Sequence, residues 1–145
     1  MNNLLLSPTT LEKQIHIFYH TDILLSPHGA GITNCIFLLP HSVVIEVSPP
    51  HFTEFCLAGI VLHARLHYIY VPNFDYSMLV EKDLPFPDDG YNKGEYFYVR
   101  YLYKQLDINT NVFSIVSAVR DAIAYLDHYH DGYRKVNDYL SPIFH

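Results

Sequence analysis

What the chain lacks narrows its class first. In 145 residues there is no tryptophan and there are only two cysteines, Cys35 and Cys56. No Cys-x-x-Cys and no zinc-type spacing occurs, and both cysteines lie in apolar segments that read as helices, which suits core thiols better than a disulfide framework. Positive charge is scarce: nine Lys and Arg stand against fifteen Asp and Glu, a net charge of −6 with histidine neutral. That disfavours nucleic acid as a partner, which is normally met by a basic face. A local anion site stays open, because backbone N–H groups build one without lysine. No apolar run reaches membrane-spanning length, and the opening MNNLLLSPTT lacks the basic n-region of a signal peptide. There is no internal repeat, no low-complexity linker, and no Ser-His-Asp or Cys-His constellation readable from spacing.

What is present describes one folded domain. Half the residues are hydrophobic and 17% are charged, enough to bury a core of its own. Thirteen tyrosines and nine phenylalanines read mostly as half-buried strand and helix residues.

Thr9-Thr10-Leu11-Glu12 has the form of a capping box, and Leu11, Ile15 and Phe18 follow at helical spacing, so a helix is expected over residues 10–19. DILLS, residues 22–26, has strand length. Residues 31–39 read as a helix stopped by Pro40, and SVVIEV, residues 42–47, as a β-branched strand ended by Pro49 and Pro50. Residues 52–63 read as a helix with Phe55, Cys56, Gly59, Ile60 and His63 near one face, and HYIYV, residues 67–71, as a third strand. Short apolar strands alternating with helices predict an α/β protein, with a Rossmann-like parallel sheet covered on both faces.

The remainder is less regular. Residues 72–94 hold three prolines and Asp88-Asp89-Gly90 and read as a loop insertion, with a helical turn near residues 78–82. Residues 95–102 read as an added strand. Asn109 or Asn111 caps a helix to about residue 127, with Phe113, Val116, Val119, Ile123 and Leu126 as its apolar stripe. Residues 128–145 read as a last helix plus coil.

One stretch carries chemistry. In SPHGAGITN a strand runs through a glycine turn into a helix. In an open parallel sheet, ligands sit outside the carboxyl ends of the strands. Gly29 and Gly31 permit φ > 0 and close approach, and the helix start offers unpaired N–H groups to an anion such as phosphate. His28, Thr33 and Asn34 add side-chain donors. Glu46 is an acid inside a β-branched strand, where burial is costly without a partner; two ribose hydroxyls would satisfy it. By spacing alone, HGAG lacks the full G-x-G-x-x-G and reads more readily as a plain tight turn than as a phosphate site, and Glu46 more readily as a paired or edge-exposed carboxylate than as a ribose ligand.

The words of this stretch add a further reading. EKQIHIFYHTDILLSPHGAGITNCIFLLPHSVVIEVSP resembles the C-terminal part of family 61 glycosyltransferases, the DUF563 group. The pattern is a glutamine-bearing helix (here Lys13-Gln14), an apolar strand (residues 22–26), an HGAG-L-T-N turn (residues 28–34), an apolar helix ending in proline (residues 37–40) and a strand ending in Glu46. The resemblance covers residues 7–72 well and 107–127 loosely. It implies a GT-B fold, with this chain as a partial C-terminal donor-binding domain, and inverting transfer of a GlcNAc or pentose unit from a UDP-sugar to a protein or glycan hydroxyl. It implies that His28, Gly29, Ala30, Gly31, Thr33 and Asn34 face the donor diphosphate and Glu46 the ribose, with no metal cofactor. The absence of an Asp-x-Asp motif agrees with the last point. The general base is expected from another domain or the cleft.

Family members are longer, carry an N-terminal domain and work in the ER or Golgi lumen. This chain is therefore expected to lack an acceptor domain and a membrane anchor. It is either a catalytic fragment or a non-catalytic nucleotide-sugar-binding module.

Other clusters read blandly. Asp127-His128-Tyr129-His130-Asp131 places two histidines at i, i+2, which do not share a helix face, so a solvated helix end is favoured over a metal. Arg65 reads as a surface residue rather than a diphosphate ligand.

Overall fold

The alternating apolar segments form, in a computed structural model of the chain, a three-stranded parallel sheet with helices on both faces. The structure describes residues 10–50, 52, 56–75, 77, 102 and 108–140. The expected strand over 95–102, most of the 72–94 insertion and the end of the chain from 141 lie outside the described residues.

Helix α1 (Leu11–Tyr19) is capped by Thr10, whose side chain accepts from the Lys13 N–H at 3.4 Å. Lys13 rather than Glu12 therefore stands three residues past the cap, and Glu12 is left to favour the positive end of the helix by charge. Strands β1 (Ile23–Pro27), β2 (Val43–Pro50) and β3 (His67–Asn73) lie in the order β1-β2-β3, with Ser26 opposite Glu46 and Glu46 opposite Tyr70. As the middle strand, β2 is buried along all eight of its residues. The strand ends at the expected prolines, with both Pro49 and Pro50 inside it. Both prolines end the strand from within, where the pairing with β3 slips between Val47 and Pro50, so the missing N–H groups break no regular ladder.

Strand alternation sends two sets of side chains to two layers. Leu24, Val44 and Tyr68 face the layer built by α1, the segment after β1 and α2 (Cys56–His63). Val43, Ile45, Val47 and Val71 face the long helix α3 (Val112–Leu140).

The segment after β1 was expected as an α-helix over 31–39; it is a 3₁₀ helix, Ala30–Phe37. Its buried residues explain the change. Ile32, Cys35 and Leu38 are spaced by three, the 3₁₀ period, and all three are in the core. An α-helical turn would place Ile36 and Leu39 on that face, and both are exposed. In α2 the buried residues are Leu57, Ala58 and Val61, while Cys56 and His63 are exposed, so the expected apolar face is displaced; Phe55 lies outside the described residues. Neither cysteine forms a disulfide; Cys35 is buried, and burial pushes its thiol up. Cys56 is not the core thiol the sequence suggested.

Helix α2 ends in a Schellman motif. The Leu66 N–H reaches the Val61 carbonyl at 3.1 Å and the Arg65 N–H the Leu62 carbonyl at 3.0 Å, with Val61 and Leu66 in one core cluster. The left-handed position is Arg65, at φ 59, where glycine is the usual residue.

Helix α3 starts at Asn111, whose side-chain oxygen accepts from the Phe113 N–H at 2.9 Å. It continues unbroken past 127 to Leu140 instead of giving way to a separate tail helix. Its buried face centres on Ala118 and Ala122, with Val119 and Leu126 of the expected stripe packed beside them; the other three members turn out, Phe113 at 83% exposure and Val116 and Ile123 exposed too. Small residues let the helix axis approach a sheet face already filled by β-branched side chains. Further along, Tyr125 stacks on His67 at 4.0 Å and Tyr129 on His41 at 3.9 Å. These contacts fall at the amino ends of the strands, so α3 runs antiparallel to the sheet and its N-terminus lies at the carboxyl edge.

Candidate functional site at the carboxyl edge of the sheet

The turn after β1 is tied to the middle strand by its backbone: the His28 N–H donates to the Val47 carbonyl at 2.8 Å. That bond sets the imidazole on the same face as Glu46, eighteen residues away in sequence. His28 Nδ1 lies 2.5 Å from Glu46 Oε1, with the two side chains only 3% and 1% exposed. The Tyr68 hydroxyl donates to Glu46 Oε2 at 2.7 Å. With Glu46 as acceptor, Nδ1 is the ring nitrogen that carries a proton, and this fixes the tautomer of the neutral ring. Burial first, then the hydrogen bond to Glu46 and its charge, push the Tyr68 phenol well above its ordinary range.

A lid of backbone and ring closes over this network. The Phe52 ring packs on His28 at 4.6 Å. The Phe52 carbonyl accepts from the Tyr70 hydroxyl at 3.0 Å and from the Ser48 hydroxyl. Tyr70 pairs with Glu46 across the sheet, and Tyr68 is its diagonal neighbour on the same face.

The residues singled out in the sequence thus separate into two groups. His28 and Glu46, assigned to diphosphate and ribose, are bonded to each other inside the protein. The demand that pointed from a buried acid to two ribose hydroxyls is met by an imidazole and a phenol. Ala30, Gly31 and Thr33 are exposed and Asn34 is half-buried, at the start of the 3₁₀ helix. The Thr33 hydroxyl donates to the Ala30 carbonyl at 2.6 Å. Gly29, the N-cap, makes no side-chain cap bond. Its φ of 161° is extended backbone, so the left-handed geometry expected there is not used. A Cβ added to it would meet no atom within 4 Å, which leaves open space beside the turn.

Tyr68 and Phe52 were missed in the sequence. The signal for Tyr68 was available: strands 42–47 and 67–71, laid parallel, bring alternate residues of HYIYV beside Glu46. Nothing local marks Phe52. Arg65, just before β3, sits at the opposite, amino edge and is exposed. His128 and His130 are exposed on α3, and among the described residues no three His, Cys, Asp or Glu side chains converge on a metal-binding geometry. No described helix is long and apolar enough to cross a membrane.

Together these features define an α/β protein with a parallel sheet, flanking helices and a polar turn at the carboxyl edge. Residues 4–45 match the family model described as Glycosyltransferase 61, which bears out the resemblance drawn from the HGAG stretch. The match covers α1, β1, the turn and the 3₁₀ helix, and stops one residue before Glu46. No curated protein matches the chain. No solved structure matches it either.

Proposed function

We propose that the chain is the donor-binding part of a family 61-type glycosyltransferase of GT-B architecture, taking a UDP-sugar for inverting transfer of a GlcNAc or pentose unit to a protein or glycan hydroxyl. The observation that carries this reading is the coincidence of the family-matched stretch with the carboxyl-edge turn and its uncapped helix start.

On this reading the diphosphate lies against the exposed start of the 3₁₀ helix. Backbone N–H groups of Ala30 and Gly31 and side chains of Thr33 and Asn34 meet its oxygens, and open space beside Gly29 admits it. The positive end of the helix carries part of the leaving-group charge, so no metal is called for. His28 lines the inner wall of the turn. Glu46, with both oxygens engaged, acts on the turn through His28 rather than on the ribose. The acceptor hydroxyl and its general base belong to a partner domain facing this edge.

The test is calorimetric titration of UDP and UDP-GlcNAc into the wild type and into Thr33→Ala/Asn34→Ala, an exposed and a half-buried position, with circular dichroism checking the fold of the variant. Binding by the wild type that weakens in the double variant supports the reading. Absence of binding by the folded wild type refutes it. Binding without sugar transfer makes the chain a nucleotide-sugar-binding module.

A further inference from the structure

Helix α1 closes at the amino edge of the sheet, just before β1 begins, and two histidines sit at its close. His16 lies in the last turn and His20 is the C-cap. Residues four apart share one face of a helix, and both histidines are exposed. Phe18, the buried residue of α1, faces the core from the opposite side. The chain holds ten histidines, yet among the described residues no other two lie four apart on one helix. His63 and His67 have that spacing, but His63 closes α2 and His67 opens β3.

The two rings are already oriented. His20 Nδ1 lies 2.8 Å from the His16 carbonyl oxygen. A carbonyl only accepts, so Nδ1 carries the proton, and Nε2 carries the lone pair of the neutral ring. A histidine that ligates a metal through one nitrogen normally donates from the other to a carbonyl or carboxylate, which fixes its tautomer and its direction. The Tyr19 ring meets His20 edge-on at 5.2 Å. The His16 and His20 ring centroids are 4.4 Å apart and tilted by 45°. Metal–nitrogen bonds of about 2.0–2.1 Å, at ligand angles of about 90–109°, place the centroids of two ligating rings about 4.5–5 Å apart. The observed spacing therefore needs little change to take an ion between His20 Nε2 and a nitrogen of His16.

The surroundings favour a cation. The pair stands at the carbonyl end of α1, where the helix dipole is negative, in a chain of net charge −6. Imidazole nitrogens select late first-row divalent ions such as Cu²⁺, Ni²⁺ and Zn²⁺, with Cu²⁺ the tightest, over the hard ions Mg²⁺ and Ca²⁺, which take oxygen. Among the described residues no third His, Cys, Asp or Glu joins the pair in a metal-binding geometry, so water completes the coordination. We propose that His16 and His20 form a two-histidine site for such an ion, which clamps the last turn of α1 at its junction with β1. The inference does not need the donor-site reading, because the pair lies at the opposite edge of the sheet from the HGAG turn.

The test uses the full chain with Cu²⁺ and Zn²⁺, and Mg²⁺ as the hard-ion control. Substoichiometric Cu²⁺, which is paramagnetic, is expected to broaden the amide signals of residues 16–20 before those beside the other histidines. Cu²⁺ affinity is expected to fall about tenfold or more in His16→Ala and in His20→Ala, because each leaves one ligand where two acted together. Both positions are exposed, His16→Ala keeps the bond from the His20 ring to the backbone, and the metal-free amide spectrum of each variant checks its fold. His63→Ala is the control. That histidine is exposed and has the same ring-to-backbone bond, to the Gly59 carbonyl at 2.7 Å, but no second imidazole one turn away, so its loss leaves the affinity unchanged. Zn²⁺ is expected to raise the thermal midpoint of the wild type more than that of His16→Ala, and Mg²⁺ to shift neither. The proposal is overturned if broadening spreads evenly over the histidines, if either single variant binds Cu²⁺ as tightly as the wild type, or if Zn²⁺ shifts the two midpoints equally.

Discussion

Midway along β2, Glu46 has a donor on each carboxylate oxygen, His28 at 2.5 Å and Tyr68 at 2.7 Å. At the end of β3, on the same edge of the same sheet, Asn73 has an amide nitrogen walled in without an acceptor, and Thr110 a hydroxyl in the same condition. The contrast separates two uses of buried polarity. Groups that satisfy one another hold the backbone in a fixed shape, here the turn that carries Ala30, Gly31 and Thr33 to the surface. Groups left unmatched in the interior hold no shape and cost stability.

Breaking the matched end is expected to give the largest effect. Glu46→Ala leaves the His28 ring and the Tyr68 hydroxyl buried without their acceptor, at a cost of about 1–3 kcal/mol for each. Urea unfolding reads this loss directly, and a change under about 1 kcal/mol would show that the network does not hold the fold.

Tyr68→Phe removes one hydrogen bond to a charged group and is expected to cost about 1.5–3 kcal/mol, less than the glutamate. It also carries a pH signature. The folded value of the Tyr68 phenol is raised above its ordinary 10.0. The native state then keeps a proton that the unfolded chain releases above about pH 10, so this contribution is complete below that pH and fades as the pH rises through and beyond it. Unfolding midpoints taken from about pH 9 to about pH 11 fall more steeply for the wild type than for Tyr68→Phe. Parallel slopes would assign the alkaline loss to other groups.

The amino edge supplies a control of opposite sign. Arg65→Gly relieves a left-handed non-glycine residue at the end of α2 and is expected to raise stability by about 1 kcal/mol, without touching either end of the carboxyl edge. A thermal melt measures it; a loss of stability would mean that the Arg65 side chain contributes more than its backbone costs.

The smallest effect is expected at the unmatched end. Thr110→Val replaces an unpartnered buried hydroxyl with a methyl of similar size and is expected to change stability by less than about 0.5 kcal/mol, or to raise it. A loss as large as that of Tyr68→Phe would erase the distinction between the two ends.

Much of the framework was legible in the chain. DILLS, SVVIEV and HYIYV are short apolar runs, the last two β-branched or aromatic, bounded by turn residues, so three strands and their order of appearance followed from length and composition. The HGAG turn was legible because glycines and a histidine interrupt two apolar runs. The need of Glu46 for partners was legible because an acid inside a buried strand requires them.

Partner choice was not legible, because it is set by register and layer rather than by local pattern. The parallel pairing of β2 with β3 decides that Tyr68 reaches Glu46. The depth of the layer decides that residues spaced by three, Ile32, Cys35 and Leu38, are buried, and so that the crossover is 3₁₀ and not α. The distance at which a helix can approach a β-branched face decides that Ala118 and Ala122 turn inward while Phe113 stays out. Sequence by itself determined where the chain is extended, where it turns and which acid needed help, because those depend on neighbours within a few residues. Only the tertiary structure decided which donors answer that acid and which, at Asn73 and Thr110, go unmatched, because those depend on residues brought together from distant parts of the chain.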